Sequence, residues 1–75
     1  MNEVFEKIKS ITAEQTGYDA AKITQETSFQ GDIQADSLDL FQIINDIEDA
    51  YDIKIENAEE IKTVADAVKF VEDHR

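Results

Sequence analysis

The chain contains no cysteine, no proline and only two glycines among its 75 residues. Without cysteine it has no disulfide framework, no thiolate metal site and no thiol nucleophile of its own. Basic residues are scarce: 7 Lys and Arg stand against 18 Asp and Glu, for a formal net charge of −11. Nucleic-acid binding rests on neutralising phosphates with Lys and Arg, so this balance argues against it. It argues equally against docking on anionic lipid. No apolar run approaches the roughly 20 residues that a membrane span needs, so membrane insertion is not expected. The opening Met1-Asn2-Glu3-Val4-Phe5 lacks the basic and long apolar regions of a signal peptide, which makes a cytoplasmic location the expectation. A second core would need a longer chain, so one domain over residues 1–75 is expected and a large enzyme fold is ruled out.

Acidity with only 8% aromatic residues is one signature of disorder. The apolar content points the other way. Ile (10), Val (4), Leu (2) and Phe (4) make 20 of the 75 residues, above the roughly one-fifth found in disordered chains. The chain therefore reads as a folded acidic domain.

With so little Gly and Pro, Ser, Thr, Asp and Asn supply the punctuation. Residues 2–16 place Val4, Phe5, Ile8, Ile11 and Thr12 at helical spacing, and Gly17 fits a C′ stop. Residues 18–35 show neither a helical nor a strand period, with Ile23, Phe29 and Ile33 as expected anchors of a long loop. A loop of that length in so small a domain is functional or acts as a wrapper. Asp36 has the chemistry of an N-cap, and acidic Asp39 follows in the first turn of a second helix that runs to about Tyr51. Asp52-Ile53-Lys54-Ile55 alternates but has no partner strand, and a short helical turn is expected from about Asn57 to near Ile61. Thr63 caps a last helix through about Asp73, with Asp66 at the capping-box position and Val64, Ala67, Val68 and Val71 inward. The expected fold class is all-α: a small bundle of three main helices plus one short helix, with a long loop between the first two.

On a wheel of about 100° per residue, Leu40, Ile43, Ile44, Ile47, Ala50 and Tyr51 fall within one arc of about 120°. That arc suffices as the buried stripe. Leu38 lies roughly opposite it and Phe41 at its flank, beside Gln42, Asn45, Glu48, Asp49 and Asp52. Either the 18–35 loop folds over Leu38 and Phe41, or they form an apolar contact patch ringed by carboxylates. Charge favours the patch. Residues 32–60 hold ten acids and one base, a net of −9, whereas residues 1–31 contribute −2 and residues 61–75 nothing. A field this localised would steer basic partners mainly through on-rate, and salt would weaken it.

At the head of this helix stands Ala35-Asp36-Ser37-Leu38-Asp39. A Ser at the first helical position presents its hydroxyl at the positive helix end, where phosphate is electrostatically welcome. Nothing nearby makes Ser37 a catalytic nucleophile: the only histidine is His74, and Gly-x-Ser-x-Gly is absent. If Ser37 is special, another enzyme modifies it.

This run resembles the attachment motif of the acyl carrier protein family, and the resemblance extends over essentially the whole chain in length, acidity and helix order. It implies that Ser37, flanked by Asp36 and Leu38, carries 4′-phosphopantetheine through a phosphodiester. The prosthetic thiol would then hold growing fatty acyl groups as thioesters and present them to successive enzymes. The family's partner-recognition positions fall on Asp36, Leu38, Asp39, Phe41, Gln42, Glu48 and Asp49. By the same resemblance an acyl chain would lodge among Phe29, Ile43, Ile47, Ile55 and Ile61, whose ordinary role is the core. Implied partners are a phosphopantetheinyl transferase and fatty acid synthesis enzymes with basic docking patches, with the carrier itself a monomer and not an enzyme. The chain departs from the common pattern in several places. Ile33-Gln34 replaces a frequent Leu-Gly, which implies a stiffer approach to Ser37. Gln42 stands where many members carry Glu, and Asn45 where an apolar residue is common. The segment after Ile55 is short and lacks a frequent Pro.

Two other readings compete. One is a carrier for a different cargo, such as polyketide, aminoacyl or a specialised lipid. The other, from a different class, is an acidic interaction protein that binds divalent metal. The EF-hand loop pattern is absent, which disfavours a dedicated calcium sensor, but weak binding among Asp32, Asp36, Asp39 and the 46–52 carboxylates would relieve charge.

Overall fold

The computed structural model describes residues 3–56 and 60–74. Its α-helices are α1 (Glu3–Thr16), α2 (Ser37–Tyr51) and α3 (Val64–His74). Each begins and ends where side-chain chemistry and backbone sterics dictate. Gly17 closes α1 at φ +74°, a left-handed conformation glycine adopts at no steric cost, and its N–H donates to the Ala13 carbonyl at 2.8 Å. At the start of α3, the Thr63 hydroxyl accepts from the Asp66 N–H at 3.2 Å. The Asp66 carboxylate accepts in return from the N–H groups of Thr63 and Lys62. This reciprocal box satisfies donors that a helix start leaves orphaned, and such a cap is worth about 1 kcal/mol.

Helix α1 packs against both α2 and α3, which meet each other less closely. The 18–35 loop joins α1 to α2 along the bundle. This loop carries a short 3-10 turn, Ala20–Lys22, capped by the Asp19 carboxylate, an element the sequence period did not announce. Farther along, the loop docks on the start of α3 through an isolated Ser28–Thr63 bridge. Three backbone bonds extend that contact: Phe29 N–H to Lys62 O at 3.0 Å, Val64 N–H to Thr27 O at 2.9 Å, and Ala65 N–H to Gln25 O at 2.8 Å. Ile23 and Phe29 drive into the core and Ile33 packs on its edge, so the loop wraps the bundle as its anchors foretold.

One apolar cluster fills the interior. Val4, Ile8 and Ile11 from α1, Ile43, Ile44 and Ile47 from α2, and Val64, Ala67, Val68 and Val71 from α3 all belong to it, with Ile55 and Ile61 between the helices. The helical wheel of α2 needs one correction. Ala50 is exposed, because it sits at the outer margin of the stripe and its single methyl does not reach the core. Leu40 and Tyr51 are half-buried, packed on the cluster's edge. The segment from Ile53 to Ile55 runs as irregular chain, not as a strand. The short helix expected from about Asn57 lies for the most part outside the described residues.

Candidate functional site

The approach to Ser37 is held firmly. Ser28 closes a turn in which its carbonyl accepts from the N–H groups of Asp32 and Ile33, both at 3.1 Å. The Asp32 carboxylate accepts from the Ser28 N–H at 2.8 Å. Gln34 then takes φ +61°, the left-handed region. Ala35 turns inward, buried, with its N–H on the Phe29 carbonyl at 2.8 Å. Asp36 caps α2 in an extended conformation, its carboxylate accepting from the Asp39 N–H at 2.9 Å. Ser37, the first helical residue, is exposed. A buried Ala35 followed by a capped helix start thus presents the Ser37 hydroxyl outward at the positive end of α2.

The rest of the exposed face of α2 is laid out as the wheel requires. Leu38 is 67% exposed and Phe41 64%, so the loop does not fold over them. Asp36, Gln42 and Asp49 are exposed around this pair, while Asp39 is half-buried. The carboxylates are not neutralised from within: among the described residues the one ion pair is Lys9–Glu6, at 3.2 Å on α1. Such an apolar pair inside an unpaired acidic rim suits a partner that brings both apolar contact and positive charge.

Glu48 is different. It is half-buried, and its carboxylate accepts from the Ile55 N–H at 2.6 Å. Sequence reasoning placed it on the partner face and missed this structural bond, because the pairing depends on how the chain turns back after α2. Glu48, like the N-cap Asp36, thus has a fold role beside any docking role.

Phe29, Ile43, Ile47, Ile55 and Ile61, the residues proposed to receive an acyl chain, are all buried in the single cluster. A cleft of about 450 Å³ reaches one of them, Ile61, and is otherwise lined by Ser28, Gln30, Gly31, Leu40 and Lys62. Leu40 lies one turn after Ser37 on the same helix, so one wall of the cleft comes from the early part of α2. Sequence periodicity gave no sign of it, since its walls come from the loop, α2 and the approach to α3. An extended group on Ser37 fits this setting: an accessible hydroxyl, a helix start that favours phosphate, and a part-apolar cleft walled in part by the same helix. Among the described residues, no group of three His, Asp or Glu side chains converges as a metal site. No helix among them is long and apolar enough to cross a membrane.

Comparison with known proteins agrees with this geometry. Residues 6–71 match the family model described as the phosphopantetheine attachment site. The acyl carrier protein of Lactococcus lactis subsp. cremoris (strain MG1363) is 50% identical over 72 residues, covering 96% of this chain and 97% of the relative. The chain belongs to the acyl carrier protein family. The acyl carrier protein of Streptococcus pneumoniae serotype 4 is 53% identical over 70 residues, 93% of each chain. A solved structure of the acyl carrier protein from Enterococcus faecalis superimposes with a TM-score of 0.83 at 27% identity, covering 97% of this chain and 95% of that one. Family membership gives Gln34 a physical meaning. Many acyl carrier proteins have glycine immediately before Ala-Asp-Ser, and here that position holds a left-handed backbone, which glycine adopts freely and glutamine does not.

Proposed function

We propose that this chain is a carrier of growing acyl groups in fatty acid synthesis, loaded on a 4′-phosphopantetheine attached to Ser37. The observation that carries the proposal is the exposed Ser37 at the capped start of α2, within the Asp36-Ser37-Leu38 triplet of a phosphopantetheine-attachment family. When bound, the group supplies a thiol that holds an acyl chain as a thioester; the chain itself has no cysteine to compete for that role.

The protein's own residues do the remaining work. Asp36 and the buried Ala35 fix where the Ser37 hydroxyl emerges, and the α2 N-terminus offers favourable electrostatics to a phosphodiester there. Leu38 and Phe41 provide apolar contact to an enzyme, while Asp36, Asp39, Gln42, Glu48 and Asp49 orient it. The looser meeting of α2 and α3, together with the cleft beside Leu40, supports entry of an acyl chain toward Phe29, Ile43, Ile47, Ile55 and Ile61. On this reading the chain catalyses nothing itself. Its partners are a phosphopantetheinyl transferase and synthesis enzymes that bear basic docking patches.

Intact-mass measurement after incubation with coenzyme A, Mg²⁺ and a phosphopantetheinyl transferase tests the proposal. One phosphopantetheine should be gained by the native chain and none by Ser37→Ala. No gain with several transferases, or a gain that survives Ser37→Ala, refutes the assignment.

A further inference from the structure

Glu48 makes contacts on both sides of the proposed function. Its backbone carbonyl accepts from the N–H groups of Asp52 and Ile53, the latter at 3.2 Å. A span of five residues in that second bond, with Asp52 left-handed at φ 53°, is the Schellman way of ending a helix. Its side chain reaches farther, to the Ile55 N–H at 2.6 Å. One residue thus ties down the whole turn that delivers Ile53 to the core's edge and Ile55 into the core. A carboxylate in the last turn of a helix is disfavoured by the helix dipole, so the Ile55 bond offsets a local cost. Glu48 is also only half-buried, on a helix whose outer face carries Phe41, Gln42 and Asp49.

We infer that the Glu48 carboxylate is a latch between the docking face of α2 and the Ile55 wall of the apolar interior. This rests on the proposed carrier reading and deepens it. In the free protein the carboxylate holds the Ile55 N–H, and the interior's wall at Ile55 stays closed. A lysine or arginine from a basic docking patch competes for the same oxygens, because a cation is a stronger partner for a carboxylate than a neutral N–H. Once Glu48 turns to that cation, the Ile55 N–H loses its acceptor. The 53–55 segment then loosens, and an acyl chain among Ile43, Ile47 and Ile55 gains a way out where the enzyme is bound. Glu48 acts here through Ile55, as a positioning residue.

Amide hydrogen exchange at Ile55 reads the latch directly, with a phosphopantetheinyl transferase as the basic partner and binding followed separately by titration. A hydrogen bond to a charged acceptor is worth about 1.5–3 kcal/mol, so releasing it should speed Ile55 exchange about tenfold or more. In the native chain, saturating transferase should bring that acceleration while the Ile8 amide in α1 stays protected. Glu48→Ala should exchange fast at Ile55 already when free, with no further change on binding. Glu48→Gln, which keeps an acceptor oxygen, should restore protection in the free protein. Transferase binding that leaves Ile55 protected, or a Glu48→Ala variant as protected as the native chain, overturns the latch and leaves the carrier reading standing. Failure of transferase to bind or to load Ser37 overturns both.

Discussion

Replacing Thr12 with valine should make the protein more stable. Thr12 is fully buried on α1, and its hydroxyl oxygen has no hydrogen-bond partner. Its carbonyl is occupied by the Thr16 hydroxyl at 2.8 Å, an arrangement the substitution leaves in place. A buried hydroxyl stripped of water and left unbonded costs about 1–3 kcal/mol. Valine has nearly the same shape and helix propensity, and its extra methyl would be buried where the hydroxyl is now. A gain of about 1–2 kcal/mol follows, a sizeable fraction of the roughly 4–11 kcal/mol expected for a 75-residue domain. Urea unfolding followed by far-UV circular dichroism should show a higher midpoint at unchanged slope. Tm should rise by about 4–8 °C per kcal/mol. Thr12→Ser provides the opposite control: it keeps the hydroxyl, removes a buried methyl, and should lose about 1 kcal/mol. A Thr12→Val midpoint at or below the native value refutes the reasoning, because the hydroxyl would then be bonded in solution.

Two further substitutions probe the site. Gln34→Gly should stabilise by about 0.5–1 kcal/mol, since relief of a left-handed backbone worth about 1–2 kcal/mol outweighs the entropy glycine adds to the unfolded chain. Gln34→Ala keeps the strain and should gain nothing, so equal midpoints for the two variants would refute that account. Phe41→Ala and Asp49→Lys both alter exposed positions and should each shift stability by no more than about 0.5 kcal/mol. Loading of Ser37 should nevertheless slow for both, and for Asp49→Lys the deficit should shrink as salt is added, because screening removes the field it disturbs. Loading rates equal to the native chain at low salt would exclude these residues from the docking face.

Much of this fold is legible because local chemistry determines helix ends. Asp36, Thr63 with Asp66, and Gly17 each mark a boundary through hydrogen bonds or backbone freedom within three or four residues. The exposure of Leu38 and Phe41 is legible for a similar reason, since a helix's period decides which side chains share a face. The 3-10 turn at Ala20–Lys22 was not legible, because its stability comes from Asp19 and the surrounding wrap, with no apolar period to announce it. Ala50 was misplaced because a wheel orders directions but carries no measure of how far a side chain must reach.

By itself, then, the sequence determined the helices, the outward face of α2 and the serine at its head. These follow from interactions between residues close along the chain. Tertiary structure alone decided what those parts do to one another. The cleft beside Leu40 arises where the loop, α2 and the approach to α3 converge. The strain at Gln34 arises from fitting Ala35 into the core immediately before a helix start. The Glu48–Ile55 bond spans seven residues around a left-handed turn. Such contacts depend on how the chain closes in three dimensions, a distance that no local pattern measures.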